Sequence, residues 1–423
     1  MPSKPAVQDS KTGQPKAEAK KPGTPIWGKT LKDSAYGSAA VGTDGTVYFC
    51  MPPWIYAVSG KNGSTKWKFD AGAHNGRLNG AIVENDSGTV PVIGQNGLVY
   101  VVGKSLYALD AVTGEKKWSF KGVFDSGFTP AIGIGGGVYV TSLGKSYFDH
   151  SKNKWINDQT LHALDGKTGR LKWEFKTQGG GVSAIGPDGT LYVSGLQEEK
   201  RCLYALDGRS GAKIWAMEID TSTSPAIDTD GTLYLGVSGH GPKEVVVKEW
   251  TEESGGKAAT LTQKKLTWVT DPKIVALDGK TGDMKWEFAT LGQIHSSPVI
   301  GLNGTIICGT LGQLYVNDIN LYALDSKTGR KKWSTSASGH IYSPLSIGDD
   351  GVIYAISSEN FNAKACAFDG KTGVKKWVFD LGYETMGSPA IGPDGTLYVG
   401  IRGKELTPGD FVPSSRLSRW DIK

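Results

Sequence analysis

The groups in this 423-residue chain that could do acid–base or metal chemistry are six histidines and the carboxylates and tyrosines near them. His74, Arg77, Asp125, His295, His340, Tyr342, Tyr383 and Glu384 fall in connections between strand-like segments, in company with Asn75, Gln178 and Thr221. A mouth built from such residues suits a polar ligand, a sugar or an acidic peptide end, and it equally suits a solvated channel lining. His340 and Tyr342 are of the types that serve as general base and acid in a polysaccharide lyase or hydrolase. A metal held by His74, His295 and His340 would need ligands to converge from distant segments, and no close-spaced ligand pair supports it. Nucleophilic catalysis has no foothold, because the chain contains no Gly-x-Ser-x-Gly elbow and no His-Glu-x-x-His. The Gly-Lys-Thr-Gly stretches end hairpins and precede no helix, so they are not phosphate loops. No catalytic residue and no metal ligand is assigned.

The elements that must position these residues repeat. Trp27, Trp67, Trp118, Trp173, Trp215, Trp286, Trp333 and Trp377 each sit at the end of a strand-like segment. All but Trp27 close one phrase, fullest as Leu161-His162-Ala163-Leu164-Asp165-Gly166-Lys167-Thr168-Gly169 running on to Trp173. A second phrase, Ser388-Pro389-Ala390-Ile391-Gly392-Pro393-Asp394-Gly395-Thr396-Leu397-Tyr398-Val399, alternates with it. A period of roughly 40 to 50 residues with four short strands per unit predicts a β-propeller. Strand A is the Ser-Pro-Ala-Ile stretch, B the Thr-Leu-Tyr-Val stretch, C the Leu-Tyr-Ala-Leu-Asp stretch, and D carries the tryptophan. Asp-Gly pairs suit the A–B hairpin, and Gly169 or Gly373 is read as the left-handed residue that closes the C–D loop with a bulge.

Each tryptophan is expected to wedge between blades, and the alanine ten residues before it to leave room for a neighbouring ring. Trp27 has no strands A to C before it, and Leu417-Ser418-Arg419-Trp420-Asp421 has no strand D after it. The fold class is therefore all-β, an eight-bladed propeller of four-stranded antiparallel blades closed by the N-terminal strand completing the C-terminal blade. Residues 25–423 form this ring and residues 1–24 a disordered basic linker.

The phrase Ala-x-Asp-x-x-Thr-Gly-x-x-x-Trp, at Ala108 to Trp118, Ala163 to Trp173, Ala276 to Trp286, Ala323 to Trp333 and Ala367 to Trp377, resembles the tryptophan-docking motif of the pyrroloquinoline-quinone (PQQ) repeat family. The copy ending at Trp215 has Ser210 for the threonine, and the copy ending at Trp67 has Ser59 for the aspartate and Asn62 for the threonine. One branch of that family, the quinoprotein alcohol dehydrogenases, holds the quinone and a calcium ion over the axis. The BamB-like branch acts by binding and carries no quinone. The chain is nearer the second in size and in lacking adjacent cysteines, a haem motif and a calcium-ligand set. The resemblance thus implies a non-enzymatic scaffold without a cofactor, and PQQ with calcium only on the dehydrogenase alternative.

Alternation of strand direction puts the A–B and C–D turns on one face, and leaves the variable D–A and B–C connections on the other, where function usually concentrates. The largest departures are 144–157 with Tyr147, Phe148, His150 and Trp155, 236–272 with Trp250 and Trp268, and 403–415 with Phe411. Protruding aromatics suit a protein or polysaccharide partner. They equally suit folding back over their own loops. The stretches Val245–Trp250 and Lys265–Val269 look like an extended hairpin around a Gly-Gly-Lys tip.

The net charge is +5, and the tail's five lysines against Asp9 and Glu18 supply three of those charges, so nothing argues for nucleic acid. No apolar run approaches a membrane span. Two explanations remain, a cytoplasmic chain or removal of an export signal or anchor before the tail; a Lys, Ala, Pro and Gln tail reads as a linker and favours removal, hence a periplasmic or extracellular, monomeric protein. Cys50, Cys202, Cys308 and Cys366, without paired spacing, read as buried apolar residues.

Overall fold

The computed structural model describes residues 24–31, 38–51, 53–72, 77–78, 81–82, 89–122, 124, 129–149, 154–177, 180–197, 200–221, 223–238, 241–254, 257–269, 271–302, 304–311, 320–337, 339–359, 362–381, 385, 387–402 and 415–421. Nearly every described element is a β-strand, with a single 3₁₀ turn at Ile134–Gly136.

Among these residues, seven four-stranded antiparallel sheets each come from one stretch of chain. The first runs Ala40–Val41, Thr46–Met51, Trp54–Ser59, Thr65–Asp70, and the second Val92–Ile93, Leu98–Val102, Ser105–Asp110, Lys116–Lys121. The third is Ala131–Ile132, Gly137–Asp149, Lys154–Asp165, Leu171–Lys176, and the fourth Val182–Ile185, Thr190–Gln197, Lys200–Asp207, Lys213–Glu218. The fifth is Ala226–Ile227, Thr232–Val237, Lys273–Asp278, Met284–Ala289. The sixth is Val299–Gly301, Thr305–Gly309, Asn320–Asp325, Lys331–Ser336, and the seventh Ser346–Ile347, Val352–Glu359, Asn362–Asp369, Lys375–Asp380. One further sheet draws on both chain regions, with Ala390–Ile391, Leu397–Arg402 and Ser415–Asp421 joined by Thr24–Leu31 at its outer edge.

The sheets pack face to face. Strand B is buried along its length in the first, second, fifth and sixth blades, because both of its faces meet apolar side chains and the usual period-two alternation is lost; the longer strands of the fourth and seventh blades emerge at Leu196–Gln197 and Glu359. Each core therefore spans two sheets: Tyr48, Cys50, Ile55 and Trp67 of the first with Val99, Val101, Tyr107 and Leu109 of the second. The same relation continues from sheet to sheet. The two-ended sheet packs Leu397 and Val399 on the seventh, and Tyr398 with Trp27 on Val47, Phe49 and Met51 of the first.

The tryptophans do more than fill seams. The indole N–H of Trp118 donates to the carbonyl of Gly166 in the next blade's C–D turn at 2.9 Å, and the Tyr100 hydroxyl from its own strand B donates to the same oxygen at 3.0 Å. This two-donor clamp recurs for Trp27 with Tyr398 on Gly60, Trp67 with Tyr48 on Ala111, and Trp173 with Tyr139 on Gly208. It recurs again for Trp215 with Tyr192 on Gly279 and Trp286 with Tyr234 on Ser326, while Trp333 bonds Gly370. Trp377 lies 6.0 Å from Tyr354, ring to ring, but the turn that would follow Asp421 lies outside the described residues.

The glycine of each C–D turn has φ near +70° to +80°, as at Gly169 (71°) and Gly373 (73°), and the C–D register shifts beside it. It has a second task. A Cβ at Gly169 would lie 2.7 Å from the Trp118 ring of the preceding blade, so the indole lies flat on a bare backbone. The alanine ten residues before each tryptophan sits directly opposite the tryptophan of its own blade, as in Ala163 with Trp173. The ring it accommodates is thus across its own hairpin.

The turns are locked by their aspartates. The Asp165 carboxylate accepts from the Thr168 hydroxyl and backbone N–H, both at 2.9 Å, with Lys172 at 3.3 Å. Hydrogen bonds from the Thr168, Ser210 and Thr372 hydroxyls, then from their backbone N–H groups, hold Asp165, Asp207 and Asp369 below the usual carboxylate range.

Two outcomes follow from this framework. Gly169→Ala should destabilise the protein by about 2 kcal/mol or more in urea unfolding, because it adds a clash with Trp118 to left-handed strain. Gly135→Ala, at φ 77° with no heavy atom within 4 Å of the new Cβ, should cost only about 1 kcal/mol; equal losses would remove the stacking argument. Because the three aspartates titrate lower when folded, the stability they lend is present above about pH 4 and is lost as pH falls through their folded values. The triple variant Asp165→Asn, Asp207→Asn, Asp369→Asn should therefore lose less melting temperature than the parent between about pH 5 and pH 3.

Candidate functional site

In six of the seven continuous blades the A–B and C–D turns are joined by a hydrogen bond, through Gly60 N–H to Gly45 carbonyl, Ala111 to Gly97, Gly166 to Gly136, Gly279 to Gly231, Ser326 to Gly304 and Gly370 to Gly351. The clamps set the C–D turn of one blade against the tryptophan of its neighbour. All turns thus gather at one end, and the D–A and B–C connections at the other. Strands A of neighbouring blades approach one another, which makes them the innermost strands.

At the variable end the D–A segments are seated by one repeated contact. Ile294 and Ile341 are fully buried, and they cover Gly236 and Gly309 of the preceding strand B, where a Cβ would lie 2.4 and 2.9 Å from them. In the preceding segment Thr221 stands at the place of Ile294, and it and Thr223 donate to the Gly236 carbonyl of the strand B that follows, at 2.7 and 3.3 Å. Serines then link the segments: the Ser224 N–H donates to the Ser297 hydroxyl at 3.0 Å, and the Ser388 N–H to Ser38 at 2.7 Å.

This seating decides where the expected site residues go. His295 follows Ile294 and is exposed, and Tyr342 follows Ile341 and is 47% exposed, so the two hold equivalent positions on adjoining segments. His340 pairs its backbone with Ser358 in both directions, and its ring lies 5.8 Å from Tyr342. The pair singled out for acid–base chemistry is thus brought together. His74, Asp125, Tyr383, Glu384 and Phe411 lie outside the described residues. Arg77 lies on the two-residue strand Arg77–Leu78, with its side chain outside the described part.

The aromatic loops prove to be strands. Tyr147 and Trp155 extend the third blade's B–C hairpin, where Phe148 pairs with Trp155 and Tyr147 with Ile156, beyond a bulge at Leu143/Ser146. Sequence reasoning had this stretch as a loop. Trp250 and Trp268 lie on Gly241–Ser254 and Lys257–Val269, a separate two-stranded sheet inserted between strands B and C of the fifth blade, as the pattern predicts. Register sets Trp250 opposite Leu261 and Trp268 opposite Pro242.

One buried polar line escaped the sequence reading. His162 Nε2 lies 2.7 Å from the Ser142 hydroxyl and Nδ1 2.8 Å from Glu174. The order serine, histidine, carboxylate is that of a hydrolase triad. Ser142 is only 7% exposed, however, and His162 packs at 5.1 Å from Phe120 of the preceding blade. The signal was present in the repeat, since three other copies place Tyr107, Tyr204 or Tyr322 where this one has His162, each against a phenylalanine, and two more have Val275 and Cys366 there. Burial lowers the His162 pKa against the opposing pull of Glu174.

The four cysteines are buried and unpaired, and burial pushes the Cys50 and Cys308 thiols up to about 12. They are core residues, not nucleophiles. Among the described residues no three His, Cys, Asp or Glu side chains are placed to hold a metal ion.

The family model described as "Outer membrane protein assembly factor BamB" matches residues 16–147, 121–248, 199–378 and 312–408. No curated protein matches the chain significantly. Among solved structures, a europium-containing methanol dehydrogenase is similar with a TM-score of 0.61 at 15% identity, covering 94% of this chain and 93% of that one. BamB from Moraxella catarrhalis is similar with a TM-score of 0.58 at 16% identity, covering 95% and 98%. Quinohemoprotein alcohol dehydrogenase from Comamonas testosteroni gives 0.56 at 13%, covering 94% and 76%. Dehydrogenases and an assembly factor share this fold, so the fold alone does not choose between them.

His162 supplies a test of its own. A histidine whose folded pKa is lowered contributes stability that is present above its ordinary value of about 6.5 and is lost as pH falls. The variant His162→Tyr, the residue of the other copies, should flatten the fall in melting temperature between about pH 7 and pH 5. An unchanged slope would mean that the buried ring does not titrate on unfolding.

Proposed function

Because the chain belongs to the family of the outer membrane protein assembly factor BamB, we propose that it is a non-enzymatic scaffold that binds a protein partner at its variable end. We read the seven continuous sheets and the two-ended sheet as one closed eight-bladed ring, a reading supported by the packing of Tyr398 and Trp27 against the first blade. The observation that carries the binding role is the hairpin of Gly241–Ser254 and Lys257–Val269. It forms its own sheet, and among the described residues no further strand pairs with either of its edges. An unpaired edge is a template for an added strand, with backbone hydrogen bonds giving affinity and neighbouring side chains giving selectivity. His295, Tyr342 and the extended third-blade hairpin belong to the same end and complete the surface.

No helix among the described residues is long and apolar enough to cross a membrane. We place the protein in the periplasm or outside the cell as a monomer, with residues 1–24 as its linker. This placement follows from the composition of that tail and from the family.

Deleting the hairpin tests the role directly. Strand B pairs Val237 with Lys273 beneath it, so a short turn can rejoin the blade. The shortened protein should melt as the parent does and lose capture of the partner that the full chain retains; equal capture would remove the hairpin from the site. The enzymatic reading is tested by incubation with PQQ and calcium. A quinone chromophore that co-elutes with the protein and supports dye reduction would overturn the scaffold assignment.

A further inference from the structure

The end of the ring carrying the repeated turns has a surface chemistry that the clamps do not require. In most outer strands two residues precede the tryptophan pair of roles. The one adjacent to it is usually a lysine turned back onto the turn aspartate, as in Lys117 with Asp110, Lys172 with Asp165, Lys285 with Asp278 and Lys332 with Asp325. Other lysines have no such partner. Lys116, Lys167, Lys213, Lys280, Lys331 and Lys371 are exposed, and among the described residues none of them makes an ion pair. They fall one per blade on six successive blades, from the second to the seventh, all in the C–D turn or the first residue after it.

Exposed aliphatic residues are gathered at the same end. Val112 (80% exposed) and Val374 (62%) lie in C–D turns, and Ile134 (67%) and Leu302 (58%) in A–B turns. Ile214 and Met284, each about half exposed, start or nearly start their outer strands. Leu302 lies against Gly351 of the next blade's A–B turn and still leaves more than half of its surface exposed. The carboxylates of this end that face the A–B turns, such as Asp44, Asp230 and Asp350, bond the N–H groups of their own turns nearer the axis. On the outer rim the carboxylates are engaged, the turn aspartates and Glu115 by lysines and Asp283 by the Thr281 hydroxyl, and the unpaired lysines stand beside them. Thr24, the first residue of the outer strand of the two-ended sheet, pairs with Asp421 at this end as well.

From this arrangement we propose that the turn-bearing end docks on an anionic phospholipid bilayer, with the rim lysines over the headgroups and the exposed aliphatics reaching the interface. A flat annulus of cations spaced by blades complements a plane. A linear polyanion would be served by a single continuous groove and would gain nothing from the aliphatic residues. Interfacial contact uses both kinds of group together, apolar area for depth and cationic charge for selection of anionic lipid.

The test uses the full chain and vesicles of phosphatidylglycerol mixed with phosphatidylcholine, against phosphatidylcholine alone, in co-sedimentation. Binding should require the anionic lipid and weaken with salt. The variant Lys116→Glu, Lys213→Glu, Lys331→Glu should weaken it by about 100-fold or more, at roughly fivefold per lysine, while the Lys→Arg version of the same three should bind as the parent does. Val112→Ser, Leu302→Ser, Val374→Ser should weaken binding and leave its salt dependence unchanged. The hairpin-deleted protein should bind vesicles normally, which separates this docking from partner capture. Equal binding to neutral vesicles, or full binding by the lysine-to-glutamate variant, would overturn the proposal. So would loss of binding on removal of residues 1–23 alone with no effect of the rim variant, or heparin bound as tightly as vesicles and insensitive to the aliphatic variant.

Discussion

The whole architecture rests on a carbonyl oxygen that accepts two hydrogen bonds from the neighbouring blade. In the clamp at Gly166 the Trp118 indole N–H and the Tyr100 hydroxyl converge on one acceptor, and the indole lies against Gly169 of the same turn. Both lone pairs of a buried acceptor are thereby satisfied at a seam where water is excluded. Each clamp fixes angle and distance between blades at once. A sheet that could slide on apolar contacts alone is held to one position, and the repetition of the clamp sets the turns at one end of the ring.

That constraint explains why so much of the fold was legible. The motif residues Ala, Asp, Thr, Gly and Trp each answer a local need: the turn aspartate its Thr168-type partner, the glycine its positive φ, the tryptophan its pairing with Ala163-type residues across the hairpin. Local needs leave periodic traces in sequence. What remained hidden was the partner across the seam. Gly169 must be bare because of Trp118, a residue in another repeat, and the phrase that contains Gly169 explains its φ without that contact. The His162 line was missed for a related reason: its histidine occupies a tyrosine's place, and only the packing on Phe120 and the bond to Glu174 give it meaning. Tyr147 and Trp155 were read as loop residues because Gly144 and a bulge interrupt alternation, while the two strands pair on beyond it.

The candidate site was legible only in part, since its position depends on how D–A segments are anchored. Ile294 and Ile341 go down into the seams over glycines, and the residue after each, His295 or Tyr342, is left exposed. Sequence spacing selected His340 and Tyr342 as neighbours, and their rings do meet. It could not tell that alternate positions of the same segment are spent on anchoring.

This use of the inner segments bears on what such a ring can do. A catalytic centre over the axis needs several segments to aim charged or metal-binding groups at one point. Here Ile294, Ile341, Thr221 and Thr223 are committed to the seams, and Ser224, Ser297, Ser388 and Ser38 to hydrogen bonds between segments. Those positions hold neighbouring blades together instead of presenting donors to a ligand. The exposed rings of His295 and Tyr342 remain, with an inserted hairpin to which no further strand among the described residues pairs. The residues nearest the axis thus contribute to the stability of the sheets that display the rest, and the seams decide which positions of a D–A segment are left exposed.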